Sequence, residues 1–483
     1  LIPMCALNVE KGMRLFMKKG RLYSREEIEV IAKSAIGKSL NDILNEEVVT
    51  IEDKEANKGG LGQLIEKYLF GMDNNSDSEP DFMPAGIELK VTPYKKIKGN
   101  QLSAKERLVL NIIDFEAEYK NDFKNSHFWY KNNKIQLLWY LWEAGKDKKD
   151  YKITHEKLLE LAQSEDLKQI EEDWNKIINK IKKGQAHEIS EADTMYLGAC
   201  TKGATAKTLR EQPFSSIKAK QRAFCFKTSY MTQLVRKYIG DYTDVEKVLK
   251  NEEETFDSFI NKVINKYKGK TQKELMEELN IDSQAKNIFS MIISRMFNVK
   301  SKLKETEEFQ KANIIPKTIR VEENGNIIES MSFPYFSFEN VLKTDFEDSD
   351  LREELETTKY MFFIFKKENE EYVFKGIKLW NMPESTIDSK VKDMYDKTRE
   401  VIKTGNIVNH IDERGRRITN FPGMSDNEVC HVRPHGRNAN DTIPLPVKDK
   451  VTGATEYTKQ CFWFNNSYLK EILGVYINEE NSI

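Results

Sequence analysis

Asp81, Glu88 and Lys90 bring two carboxylates and an ammonium together within ten residues. The run Gly86, Ile87, Glu88, Leu89, Lys90, Val91 reads as a short strand. On a strand, Glu88 and Lys90 share one face while Ile87, Leu89 and Val91 turn to the other, toward a core. Asp81 is entered through Pro80 and can carry a second carboxylate to the same point. Two carboxylates suit Mg²⁺, and an ammonium can position or polarise an attacking water. These are the parts of metal-assisted hydrolysis of a phosphodiester. The triplet alone is weak, because the chain is 32% charged and Glu52/Lys54 and Glu118/Lys120 repeat the Glu-x-Lys spacing. An exposed strand with a surface ion pair is the bland alternative.

Elements able to position these groups are legible around them. Residues 24–44 and 61–70 have helical spacing, with Ser24 and Glu27 set as a capping box. Residues 86–92 and 107–113 read as strands, and 151–183 as a charged helix with an apolar stripe at Trp174, Ile177, Ile178 and Ile181. In the second half the pattern predicts a helix near 283–297, strands at 360–365 and 372–380, and a helix near 387–403. At 483 residues the chain exceeds one ordinary core, which makes two domains the natural expectation. No apolar run has the length of a membrane span. The five cysteines, odd in number and never spaced Cys-x-x-Cys, argue for a reducing cytosol and against a disulfide framework or structural zinc. His431 and His435 are four apart, but Pro434 between them argues against a helical metal pair. A net charge of −2 does not select a polyanionic partner. Local clustering matters more: 202–227 holds Lys202, Lys207, Arg210, Lys218, Lys220, Arg222 and Lys227 against Glu211 alone, a pattern that suits either a polyanion or a solvated basic face.

The chain also repeats itself. Residues 59–70 align without gaps to 286–297, an offset of 227 that also carries Ala85 to Ala312 and Lys90 to Lys317. Phe224 to Tyr230 echo Phe462 to Tyr468, and Lys202 to Ala206 echo His435 to Ala439, in the same order. The same offset puts Ile293 at the place of Glu66, Glu308 at that of Asp81 and Ile315 at that of Glu88, with Pro316 in place of Leu89. Isoleucine cannot hold a metal, so the second copy reads as catalytically dead. The expected division is a catalytic copy over 1–245, an acidic linker over 246–262 and a degenerate copy over 263–483.

Residues 57–66, with Glu66 on their helix, followed by Asp81 and the 86–90 strand, resemble the MutH-like endonucleases. The two-copy arrangement resembles still more closely the single-chain type II restriction enzymes that cut GATC, over nearly the whole chain. That resemblance implies an α+β fold of two tandem restriction-endonuclease-like domains, each a mixed central sheet flanked by helices. It implies that Asp81 and Glu88 bind catalytic Mg²⁺ with the Leu89 carbonyl, that Glu66 supports the metal, and that Lys90 orients or activates the water. It makes Lys105 a phosphate contact. The family reads bases through an Arg-Pro-Lys loop; Lys202 keeps the lysine behind Cys200 and Thr201, whereas the second copy keeps Arg433 and Pro434 with His435 at the lysine position. The implied DNA contacts are Lys202, Thr205, Lys207, Lys220, Arg222 and Lys227 in the first copy, and Arg433, His435, Arg437 and Asn438 in the second.

The implied activity is Mg²⁺-dependent hydrolysis of duplex DNA 5′ of the G of GATC, leaving 5′-phosphate ends, with the second copy binding another site as an allosteric effector. The expected partner is double-stranded DNA, two sites at once, for a bacterial cytoplasmic protein that is monomeric in solution and dimeric on DNA. The competing readings are a GATC-specific repair-type nickase, a non-catalytic sequence-specific DNA-binding protein, and a second copy serving only as a dimerisation scaffold. The fused second copy favours the restriction enzyme over the nickase. The intact set of Glu66, Asp81, Glu88 and Lys90 weighs against a non-catalytic protein.

Overall fold

Helix starts are set locally. Ser24 Oγ accepts the Glu27 N–H at 3.3 Å and Glu27 Oε2 accepts the Ser24 N–H at 2.7 Å, so the expected capping box opens the helix Arg25–Ser34. The structure, a computed structural model, describes residues 22–47, 60–72, 78–203, 208–240, 245–251, 254–328 and 331–477. The chain divides into two units. One holds Leu1–Val245 with Asn251–Thr255 and Gln310–Ala312; the other holds Glu246–Lys250, Phe256–Phe309 and Asn313–Ile483. Part of the expected linker is helical: Phe256–Tyr267 forms a helix that buries Phe256, Ile260 and Val263. Apolar residues at helical spacing overrode the acidic composition that suggested a linker.

In the first unit, helices Leu40–Glu47 and Leu61–Leu69 precede β1 (Glu88–Lys96), β2 (Leu102–Ala104), β3 (Leu108–Ile112), β4 (Lys134–Leu141) and β5 (Ile153–Glu160). One sheet has the order β2-β1-β4-β5. Within it β1 and β4 run parallel, Glu88 opposite Ile135 and Lys90 opposite Leu137, and the other pairs are antiparallel. Residues 153–160, expected as helix, are thus an edge strand. Their lysine and glutamate content mimics a helix, but charge on an edge strand is also what prevents sheet-to-sheet association. The helix begins only at Leu167 and runs to Lys182, burying Ile170, Trp174, Ile177, Ile178 and Ile181 at about 1.5–3 kcal/mol each. A second, antiparallel sheet contains β3, β6 (Leu197–Thr201) and β9 (Arg222–Phe226) in the order β3-β9-β6. Between β6 and β9 lies the hairpin of β7 (Leu209–Gln212) and β8 (Ser215–Lys220).

The second unit has β10 (Ile314–Val321), β11 (Ser332–Tyr335), β12 (Lys359–Glu368) and β13 (Glu371–Trp380). β10 and β12 are parallel, β12 and β13 antiparallel, in the order β10-β12-β13. After the hairpin of β14 (Val408–Ile411) and β15 (Arg417–Thr419) come β16 (Cys430–Pro434), β17 (Thr442–Pro444), β18 (Glu456–Thr458) and β19 (Gln460–Phe464). The order β11-β19-β16 reproduces β3-β9-β6, and β10-β12-β13 reproduces β1-β4-β5. Helix Ile288–Met296 precedes β10 as helix Leu61–Leu69 precedes β1.

Candidate active site and nucleic-acid interface

A tight turn aims Asp81 at the head of β1. Gly86 takes the left-handed φ of 63° that the turn needs, and Phe82 and Ile87 bond across it. Asp81 Oδ2 then accepts the Leu89 N–H at 2.9 Å, and the Asp81 N–H donates to Glu88 Oε2 at 3.2 Å. Glu88 is only 2% exposed. Its Oε1 lies 2.8 Å from Lys90 Nζ and 3.8 Å from Lys131 Nζ. Ile87 and Leu89 fill the core on the far side of the strand together with Leu61, Leu64 and Ile65, so the helix bearing Glu66 packs on β1. Burial first, and then the charge of Asp81, pushes the Glu66 carboxyl up to about 7 against the opposing Lys90. Burial also raises Glu88, with Lys90 opposing. The structure therefore brings Glu66, Asp81, Glu88 and Lys90 into one charge cluster with an excess of acid.

Lys131 escaped the sequence reading. It lies in the last turn of the helix His127–Asn132 and reaches Glu88 because β4, which that helix feeds, is the parallel neighbour of β1. Only its place just before a strand hinted at this. The other Glu-x-Lys in the described residues is neither an exposed ion pair nor part of an acid cluster: Glu118 is buried and accepts the Phe128 N–H and the Trp174 Nε1–H at 3.1 and 3.2 Å, a structural task. Glu52 and Lys54 lie outside the described residues.

The donor set of the cluster suits a divalent cation. Its oxygens are all hard carboxylate or backbone donors, and the three acids outnumber the lysines Lys90 and Lys131 beside them, both of which fit Mg²⁺. Among the described residues, no three Asp, Glu, His or Cys side chains are already drawn to ligand distances. Glu88 is turned onto Lys90, and Asp81 onto the Leu89 N–H. Carboxylates that face one another without a cation turn to whatever donors are near.

The expected DNA contacts divide. Lys202, first beyond β6, is exposed, with its N–H on the Gln221 carbonyl at 2.9 Å. Lys220 ends β8 half-buried, and Lys105 holds its ammonium 4.9 Å over the Trp142 ring. Thr205 and Lys207 lie outside the described residues. Arg222 and Lys227 are corrections. Arg222 is 2% exposed and donates to the Ala199 carbonyl at 2.9 Å, and Lys227 is 1% exposed and donates to the Thr194 carbonyl at 2.5 Å. Arg222 opens β9, whose five residues are all buried, and Lys227 directly follows it, so both satisfy backbone carbonyls inside the unit and do not face DNA.

In the second unit, Arg433, His435, Arg437 and Asn438 are all exposed. The Arg433 guanidinium lies 4.6 Å over the Trp463 ring, which His435 also meets edge-on at 5.8 Å. The His435 N–H bonds the Lys459 carbonyl at 2.9 Å, the same bond that Lys202 makes in the first unit, which puts the two residues at one position of the strand pair. At the position of the acid cluster, Ile293 is buried, Ile315 packs half-buried on the core and Pro316 lies on an edge strand that can spare its N–H. Lys317 is kept, lowered by burial and opposed by Glu354. Glu308 accepts the Val248 and Leu249 N–H groups at 2.9 Å each, a structural task.

The family model described as "DNA mismatch repair enzyme MutH" matches residues 70–173, which include Asp81, Glu88, Lys90 and Lys131. The "Type II restriction enzyme Sau3AI" of Staphylococcus aureus is 35% identical over 495 aligned positions, covering 95% of this chain and 99% of that protein. The chain belongs to the MutH-like type II restriction endonucleases. This restriction endonuclease is therefore a site-specific deoxyribonuclease acting on double-stranded DNA. The "DNA mismatch repair protein MutH" of Shigella boydii serotype 18 is 27% identical over 168 positions, 34% of this chain and 69% of that protein. The same protein from Escherichia coli K12 matches equally. Among the described residues, no helix of this endonuclease is long and apolar enough to cross a membrane.

Proposed function

We propose that this endonuclease cuts GATC in duplex DNA 5′ of the G with Mg²⁺, using a catalytic unit over 1–245, while the unit over 263–483 binds a second GATC as an allosteric effector. The contrast between the units carries the reading. One gathers Glu66, Asp81, Glu88 and Lys90, and the other places Ile293, Ile315 and Pro316 at the matching positions.

Glu66, Asp81, Glu88 and the Leu89 carbonyl would hold the cation. When bound, it supplies neutralisation of the charge that builds on the scissile phosphate. The chain's own residues do the rest. Lys90, whose ammonium donates to Glu88 Oε1 at 2.8 Å, has further N–H donors with which to hold and orient a water for in-line attack. Lys131 adds a second cation on the same carboxylate and offsets the burial of three acids. Lys202 in one unit and Arg433 with His435 in the other present donors suited to guanine in the major groove, the commonest specific base contact. Binding at the second unit raises activity at the first through a coupling free energy, about 1–3 kcal/mol in typical cases. One active site cuts one strand at a time, so a monomer in solution must pair on DNA, or act twice, to break both strands.

The test is to incubate the full chain with Mg²⁺ and plasmids carrying one or two GATC sites, methylated or not, and sequence the ends. Four-base 5′-GATC overhangs, formed faster on the two-site plasmid, support the whole reading. Equal rates on both plasmids refute the effector role, persistent single nicks point to the repair-type enzyme, and ends at another sequence refute GATC.

A further inference from the structure

The second unit carries a projection that the first lacks. Twenty-five residues, 405–429, separate the helix Lys392–Thr404 from β16, whereas fourteen residues, 183–196, separate the helix Leu167–Lys182 from β6. The additional length folds as the β14–β15 hairpin. Asp412 closes its turn: Oδ1 accepts the N–H of Arg414 at 3.0 Å and of Arg416 at 2.8 Å, and Oδ2 accepts Arg416 Nε–H at 2.7 Å. Gly415 supplies the left-handed φ of 73°. The charge of Asp412 is thus consumed within the turn, and Arg416 keeps its terminal nitrogens for another anion. Arg414 is exposed and forms no side-chain ion pair among the described residues.

The hairpin is also fastened to the loop that joins β16 and β19. The Val408 N–H donates to Asp449 Oδ1 at 2.8 Å, Arg417 Nη2–H donates to Thr458 Oγ1 at 2.9 Å, and the Arg417 guanidinium lies 4.6 Å over the Tyr457 ring. Thr458 Oγ1–H in turn donates to the Ala439 carbonyl at 2.7 Å, within the loop that carries His435, Arg437 and Asn438.

We propose that the β14–β15 hairpin is a phosphate-gripping arm of the second unit's DNA interface, with Arg414 and Arg416 as its contacts to the duplex backbone. This rests on the reading that the second unit binds DNA. The partner follows from charge: His410, Arg414, Arg416 and Arg417 stand against Glu413 and an internally satisfied Asp412, and arginine is the side chain best matched to phosphate oxygens. Continuity with Arg433 and His435 makes the arm an extension of one surface. Backbone contacts carry affinity and register without reading bases. An arm present only in the unit without catalytic acids gives that unit the firmer and more salt-sensitive hold on DNA.

The experiment measures binding of the full-length chain to a labelled GATC duplex in EDTA at 50–200 mM salt, with hydrogen exchange over 408–419 read with and without DNA. Arg414→Ala/Arg416→Ala should flatten the slope of log K against log salt by about 1.8, or about 12-fold in relative affinity across that range, since each phosphate contributes about 0.9. The wild-type hairpin should gain protection on DNA. Arg414→Glu leaves the Asp412 turn intact and should weaken binding at least as much as removal of Arg414 alone, so misfolding cannot explain the loss. An unchanged slope with no protection, while Arg433→Ala does weaken binding, overturns the arm. If Arg433→Ala is also without effect, the second unit does not bind DNA and the arm falls with it.

Discussion

Asp173→Ala should unfold the first unit early and disable cleavage, although Asp173 lies far in sequence from the acids. Its carboxylate is fully buried on the Leu167–Lys182 helix. It accepts three consecutive backbone N–H groups at the start of β6, those of Met195 at 2.8 Å, Tyr196 at 2.6 Å and Leu197 at 3.0 Å. Each orphaned buried donor costs about 1–3 kcal/mol. Release of the buried carboxylate's desolvation, which raises its pKa, gives back several kcal/mol. Three such donors together cost about 3–9 kcal/mol, and with the recovered desolvation set against the upper part of that range the net loss is about 3–5 kcal/mol. For a unit of this size that is roughly 6–20 °C in Tm. Asp173→Asn keeps an acceptor oxygen and should lose about 1–2 kcal/mol. The second unit already works that way, with Asn427 Oδ1 accepting the Val429 and Cys430 N–H groups at 2.9 and 3.1 Å. Calorimetry of the full chain, following the transition that the variant moves, is the assay, with cleavage measured below both midpoints. An Ala variant melting within about 1 °C of the parent, or an Asn variant as damaged as Ala, would refute the anchoring argument, because the donors would then have other partners.

Glu88→Gln should lower the cleavage rate by at least about 10³-fold, several kcal/mol of transition-state stabilisation, while duplex binding without metal is retained; an active variant would remove Glu88 from the site. EDTA should abolish cleavage and Mg²⁺ restore it, with plasmid nicking as the readout, and cleavage persisting in EDTA would exclude the metal reading. Lys227→Met should leave the salt dependence of DNA binding unchanged because the ammonium serves the Thr194 carbonyl, whereas Lys202→Ala should reduce the slope by about 0.9. Equal losses in these two variants would mean that Lys227 reaches DNA after all. Trp174→Ala should destabilise by about 3–5 kcal/mol through a core cavity and the lost bond to Glu118, read as a drop in the denaturation midpoint.

Much of the candidate site was legible because it is local. Glu88 and Lys90 share a strand face by two-residue periodicity, and Asp81 is seven residues from Glu88, joined to it by a single turn. Helix Leu61–Leu69 and the capping box at Ser24 were equally readable, since helical spacing and caps are short-range properties. The repeat offset of 227 emerges again in the matching bounds of helices Leu61–Leu69 and Ile288–Met296. Residues 153–160 misled because lysine and glutamate favour a helix, yet pairing with β4 outweighs that weak preference at a sheet edge.

The amino-acid order by itself determined which residues could do chemistry, namely two acids and a lysine around one turn and strand, and that the second half had traded acids for isoleucine. Only the tertiary structure decided which charges stay on the surface. A one-dimensional cluster of lysines and arginines is blind to the direction each faces, and β9, the central strand of its sheet, carries Arg222 inward while Lys227 beyond it is swallowed by the same layer. Lys131 likewise reached Glu88 only because β1 and β4 pair in parallel, and no property of residues 120–135 alone encodes that neighbour. Local spacing depends on bond geometry within a few residues, whereas burial and pairing depend on what the rest of the chain places opposite.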